Sequence, residues 1–340
     1  MPSPDSGTSS CPGDAVPLIG EVHTALLQHS VAAPEGLVRS VLELRSDESV
    51  RVRRRPLGHA CSPEIHAGVD CLIPTASGRR LRGVGTVVSR ATITGGRVLQ
   101  GSAWTELTRA GFDRRMPWSH YLSLPGRVEV TSSRMDWADV GLGFLENPPG
   151  AALDLGAVCG STMSDVQQCP ELDGTPPFTA QRTTVRWFLA DGPAEGDEAE
   201  FVVQSDRERT LRLAVRAEAA DVLRLCEDLA VHDWLLTTVL ALVERSRWTV
   251  EGYRRTEPLR LALEHLTHLW SPGAWVADRL MPIWAELERR ASFSRQWETT
   301  VNRIRDLIAV ATLERAEAME RAKPGDLPLR PGISRPAVAG

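Results

Sequence analysis

Hydrophobic and polar positions change their period near residue 218, from about two residues to about 3.6. Before that point the apolar runs are short and alternating. The stretch 20–31 reads as a strand, and Pro34 then opens a helix with Leu37, Val38, Val41 and Leu42 on one face. Two β-rich stretches, 81–93 and 97–107, flank Thr94, Gly95 and Gly96, where paired glycines supply the positive φ of a tight hairpin. Further strands are predicted at 50–55, 127–132, 183–189, 199–204 and 210–216. In the last, Leu211, Leu213 and Val215 alternate with Arg212 and Arg216, as a sheet with one wet face requires. Asp136 caps a short helix carrying Trp137, Val140 and Phe144.

From about 219, Val222, Leu225, Leu229, Leu236, Val239 and Val243 lie along one side of a long helix. Thr256 caps a second helix (Leu259, Leu263, Leu266, Trp270) that stops at Ser271, Pro272 and Gly273. Pro282 starts or kinks a third, with Trp284 and Leu287. In the fourth, Trp297, Val301, Ile304, Ile308 and Ala311 keep helical spacing. That face must be buried, at roughly 1.5–3 kcal/mol for each fully buried side chain. The charged stretch 314–321 is expected to project into solvent. The predicted class is α+β: an N-terminal mixed, strand-rich domain over 17–217 and a C-terminal all-helical domain over 218–322. The Pro-, Ser- and Gly-rich ends, 1–16 and 323–340, are expected to be disordered.

Composition narrows the chemistry. With 340 residues, 42% of them hydrophobic, the chain can bury a sizeable core. A net charge of −5 gives no overall attraction to nucleic acid or to an anionic membrane. The basic residues are 38 Arg and a single Lys, Lys323, in the Pro/Gly-rich tail. That excludes a Walker A ATPase, a kinase and Schiff-base chemistry, each of which needs a placed lysine. The six cysteines (11, 61, 71, 159, 169, 226) form no CxxC pair and the N-terminus lacks an export signal, so reduced thiols and a cytoplasmic location are expected. The longest apolar run, 235–243, is far short of the ~20 residues that span a bilayer, and no membrane insertion is expected.

Strong catalytic signatures are missing: HExxH, GxSxG, a calcium loop and repeated CxxC do not occur. The pairs Gly83/Gly85 and Gly141/Gly143 lack the third glycine of a dinucleotide fingerprint, so no Rossmann dehydrogenase is expected. Three weaker constellations remain. His59, Cys61, His66 and Cys71 are metal-ligand types within thirteen residues, but in no standard zinc spacing, and no metal or other cofactor is assigned. Asp228 and His232 stand one helical turn apart, with His265 and His268 on the next helix; facing carboxylates and imidazoles can do acid–base work. Finally, Arg114, Arg115, His120 and Arg127 interleave with Trp118 and Tyr121, a pattern able to clamp an anion between stacking faces.

The segments GVDCLIP (68–74), GRVLQGSA (96–103), RRMPWSHYLSLPGRVEV (114–130), LCEDLAVHDWLLTTVLALVERSR (225–247) and SRQWETTVNRIRDL (294–307) together resemble a family of conserved hypothetical proteins of Streptomyces and related actinobacteria. The resemblance covers nearly all of the 17–322 stretch and assigns no catalytic or binding residue. It implies a gene neighbourhood holding a variant P-loop protein, and so a component of a small multi-protein system. The leading expectation is an adaptor or scaffold that binds a protein partner, with that P-loop protein as a candidate. An enzyme using His120 or the His232, His265 and His268 set is the alternative. Nucleic-acid binding through local arginine patches comes third.

Overall fold

The computed structural model describes residues 16–112, 114–132, 135–146, 153–190, 196–247 and 252–322. The expectations for 1–15 and 323–340 lie outside the described residues. The first part of the chain carries β1 (Leu18–Leu26), α1 (Glu35–Leu42), β2 (Arg51–Arg53), β3 (His59–Cys61), β4 (Ile65–Pro74), β5 (Arg80–Thr94) and β6 (Val98–Arg109). There follow α2 (Trp118–Leu122), β7 (Arg127–Thr131), α3 (Trp137–Glu146), α4 (Leu155–Gln167), β8 (Thr183–Ala190), β9 (Glu198–Val203) and β10 (Glu208–Ala214). The last part is α5 (Ala219–Arg247), α6 (Gly252–Leu266), α7 (Met281–Ala291) and α8 (Phe293–Ala322). The protein is α+β, strand-rich first and helical last.

All ten strands join one sheet in the order β2, β3, β5, β7, β6, β1, β8, β10, β9, with β4 also on β5. β5 serves two neighbours on each edge: β4 and then β3 on one, β7 and then β6 on the other. The β5–β6 turn is the predicted hairpin. Gly95 and Gly96 have φ of 58° and 64°, and the Arg97 N–H closes the turn on the Thr94 carbonyl at 3.0 Å. The central strand β1 is buried on both faces because helices cover the sheet on both sides. One apolar cluster lies against α3 and α4, and a smaller one lies under α1. The largest runs from Val22, Trp187 and Leu211 through Leu229 and Trp234 to Trp284, Trp297 and Ile304, so the strand-rich and helical parts share it across residue 218.

Four elements were not predicted. In β4, Ile65, Ala67, Val69, Cys71 and Ile73 alternate with more exposed neighbours; the His and Cys content of the segment masks that alternation. β3 is too short to show a period. The five-residue α2 sits inside a Pro-framed loop. In α4, Gly156, Gly160 and Ser161 dilute the apolar face, although Asp154 caps the helix by accepting from the Ala157 N–H at 2.8 Å. α6 starts at Gly252, so Thr256 lies inside it rather than capping it, and the helix absorbs Pro258 in its second turn. In α8, Trp297, Val301 and Ile304 are buried, while Ile308 and Ala311 are only half-buried because the helix runs past its neighbours. Among the described residues no helix is long and apolar enough to cross a membrane.

α5 is more deeply buried than one amphipathic face requires: every residue from 225 to 236 is inaccessible, between the sheet and α6 and α8. Four of these carry a carboxylate or an imidazole, and buried charges must be paired. Arg90 of β5 grips Glu227 through two bonds, of 3.0 and 2.6 Å. Arg209 of β10 grips Asp233 at 2.9 Å. The two pairs hold α5 to the sheet on opposite flanks.

Candidate functional site

The Trp118 loop is self-contained. The Arg115 Nε lies 3.1 Å from an Asp70 carboxylate oxygen and its guanidinium packs 5.1 Å over the Trp118 ring. His120 Nε2 meets Glu129 Oε1 at 2.8 Å, and Arg127 Nε meets Glu106 Oε2 at 2.8 Å. The buried Tyr121 hydroxyl accepts from the Met116 N–H at 3.0 Å. Trp118 lies over Gly68, where a Cβ would come within 3.0 Å of the ring. Arg114 is exposed. The aromatics therefore seal the outer face of β4, and three of the four cations are already matched to carboxylates of the fold.

The second set does not converge. His232 Nδ1 donates to the Asp228 carbonyl oxygen at 2.7 Å, while its Nε2 accepts from the Ser271 N–H at 3.2 Å. The Asp228 carboxylate accepts from the Gly273 N–H at 2.8 Å. This pair fastens the turn after α6 to α5. His265 instead accepts from Arg97 Nη2 through Nδ1 at 3.0 Å, and burial together with the Arg97 charge lowers its pKa. His268 stands in the 3-10 turn Thr267–Leu269 and is lowered by the same two causes. The four-ligand segment also separates: His66 is exposed on one face of β4, Cys71 points to the other, and only His59 and Cys61 are neighbours. Among the described residues no three His, Cys, Asp or Glu side chains gather as a metal site would require.

What the sheet does assemble is a pocket between its β2–β3 end and α5. Residues facing each other across antiparallel strands share a face. Arg51 faces Cys61, Cys61 faces Thr92, Thr92 faces Gln100 and Gln100 faces Thr24, giving one polar row under α5. Arg53, His59 and Thr94 form the next row, and Arg90 and Ser102 a third. From these rows Arg51, Cys61, Gln100, Arg53, His59, Thr94 and Arg90, with Arg224 and Glu227 of α5, Glu64, and Trp275 from the α6–α7 connection, line a cavity of about 110 Å³.

Inside it, Glu227 is fully engaged by Arg90, by the Ser102 hydroxyl at 2.7 Å, and through its backbone carbonyl by Gln100 at 2.9 Å. Burial alone would raise the Glu227 carboxyl; the Arg90 charge and hydrogen bonds and the Ser102 hydroxyl outweigh it, and the pKa is lowered. The His59 ring stacks on Trp275, with centroids 4.7 Å apart. Its Nδ1 lies 3.1 Å from Thr94 Oγ1 and its Nε2 3.3 Å from Cys61 Sγ. Desolvation holds His59 down to about 4 and pushes the Cys61 thiol up, so both are neutral near pH 7. The remaining cations are loosely matched. Arg51 is 3.9 Å from Glu64, Arg224 is 3.4 Å from Asp221, and Arg53 has no ion-pair partner among the described residues.

Sequence reasoning missed this site because its residues come from β2, β3, β5, β6, α5 and the α6–α7 connection. One signal was readable: Arg90 interrupts the stretch 83–94 of β5, whose other residues are small or apolar, a local inconsistency that often marks a site. No family model, curated protein or solved structure matches this chain, so its function is read from the geometry of the pocket.

Proposed function

We propose that the protein binds a small anion, a carboxylate or phosphate group, in the pocket between the sheet and α5. The observation that carries this reading is the charge balance. Four arginines and two glutamates line the cavity, yet the buried Glu227 is already neutralised by Arg90. Arg53 has no carboxylate partner among the described residues, and Arg51 and Arg224 are held only at 3.9 and 3.4 Å from Glu64 and Asp221, so these three can turn to an incoming ligand; the arginine fork matches carboxylate and phosphate geometry. The volume suits an inorganic phosphate or a short dicarboxylate, since an apolar cavity of ~150 Å³ holds a benzene. Calorimetric titration with inorganic phosphate and with succinate at low ionic strength tests it. Saturable one-to-one binding of either is expected, weakened about tenfold or more by Arg53→Ala, given about 1.5–3 kcal/mol for a charged hydrogen bond. Absence of saturable binding, or an affinity untouched in the Arg51→Ala/Arg53→Ala double variant, overturns it.

A second reading, an adaptor for the P-loop protein that the family resemblance implies, is favoured by α8. Past its last buried residue, Ile304, the helix exposes Val310 and Leu313 on the side away from the core-facing stripe. Co-expression with that protein, followed by co-purification that fails for Val310→Glu/Leu313→Glu, is the expected outcome; retention of the complex by the double variant removes this reading.

A further inference from the structure

We propose that Cys61 is a nucleophile for a small anionic electrophile and that His59 is its proton acceptor; the anionic class of the electrophile rests on the pocket reading above. The geometry is that of a thiol, a base and a group that orients the base. His59 Nε2 lies 3.3 Å from Cys61 Sγ, and Thr94 Oγ1 stands 3.1 Å from Nδ1 on the opposite side of the ring. With Nδ1–H donating to Thr94, Nε2 presents its lone pair to the thiol. Stacking on Trp275 limits rotation of the imidazole out of this plane. Both side chains line the cavity and neither is fully buried, so a ligand held by the arginines meets the sulfur directly. By contrast, Cys159 and Cys226 are fully enclosed, and Cys71, though half-buried, has no imidazole beside it and donates weakly to the Gly83 carbonyl at 3.7 Å.

The step balances within the pair. A bond forms between Sγ and the electrophilic carbon while the bond from that carbon to its leaving group breaks, the leaving group departing with the electron pair. The thiol proton passes to His59 Nε2 and from there to the leaving group or to water. The charged groups facing the pair are Arg51 and Arg53 from β2, Glu64 from the β3–β4 connection, Arg90 from β5, and Arg224 and Glu227 from α5. Of these, Arg90 stabilises developing charge on sulfur, while Glu227 opposes it but is itself held by Arg90.

At rest the pair is a neutral thiol beside a neutral imidazole; the proposed step passes the thiol proton to Nε2 inside the dyad, and the population of an ion pair formed that way does not depend on bulk pH. An isolated thiol behaves otherwise, its thiolate fraction rising about tenfold per pH unit below its pKa. The experiment is alkylation of the intact protein by iodoacetate and, separately, by iodoacetamide, with peptide mass mapping of each cysteine between pH 5.5 and 7.5. Cys61 is expected to change by less than about threefold across that range, against about 100-fold for Cys71 as the internal control. His59→Gln should return Cys61 to the steep profile. Iodoacetate should be favoured over iodoacetamide at Cys61, relative to the ratio at Cys71, by about fivefold or more, and Arg53→Ala should abolish that preference. A steep wild-type profile, or no labelling of Cys61, overturns the dyad whichever reagent is used. A flat profile without iodoacetate preference keeps the dyad and overturns the anionic class of its electrophile, and with it the pocket reading.

Discussion

The Trp118 loop and the pocket under α5 are both rich in arginine, histidine and aromatic side chains, yet their electrostatics differ. In the loop, Arg115, His120 and Arg127 each meet a carboxylate, of Asp70, Glu129 and Glu106. In the pocket, the inner acid is matched by Arg90, while among the outer cations Arg53 has no carboxylate partner among the described residues and Arg51 and Arg224 are held at 3.9 and 3.4 Å. A cluster of cations is therefore no guide to anion binding until its carboxylate partners are known. The loop draws its cations from one stretch of sequence and matches three of the four in space; the pocket gathers cations from β2, β5 and α5 and leaves Arg53 without a carboxylate partner among the described residues.

The sharpest way to break this contrast is to remove the inner acid. Glu227→Ala strands Arg90 in a buried site and is expected to cost about 3–5 kcal/mol in urea denaturation. The matching change in the loop, Glu129→Ala, leaves His120 partly exposed and should cost about 1 kcal/mol or less. Equal losses would mean that the two clusters are held alike.

Acid comes next. Burial holds the folded-state pKa of His59 at about 4, below its ordinary 6.5, so the unfolded chain takes up that proton first. The His59 contribution is fully present above pH 6.5 and is lost as pH falls from 6.5 toward 4, by about 2 kcal/mol once the screening of a half-buried ring is allowed for. His59→Gln should flatten the stability curve in that window; an unchanged slope would show that the ring is protonated as readily in the folded protein as in water.

The smallest expected effect is also a discriminating one. Arg114→Ala/Arg115→Ala should leave phosphate affinity unchanged within about twofold and stability within about 1 kcal/mol, whereas Arg53→Ala weakens phosphate about tenfold. A phosphate response confined to the loop variant would exchange the roles of the two regions.

Much of the fold is legible along the chain, because strand alternation, the glycines at 95 and 96 and the 3.6-residue period of α5–α8 are local properties. Where small residues dilute the period, as in α4, or where a strand is as short as β3, that signal fails. The burial of every residue from 225 to 236 in α5 could not be read from its sequence either. Glu227, Asp228, His232 and Asp233 look like a wet flank until Arg90, Arg209 and the turn after α6 are seen against them. The candidate site was the least legible part, since the two residues of its central ion pair stand 137 positions apart.

By itself, then, the sequence determined the order and type of most of the elements and the change from strands to helices near residue 218. Only the tertiary structure decided which arginines remain available to a ligand and which thiol stands beside an imidazole. Periodicity and turn chemistry act between residues a few positions apart, whereas neutralising a charge or orienting a base depends on distances of about 3 Å between groups that the chain brings together only when the sheet has formed and α5 has packed across it.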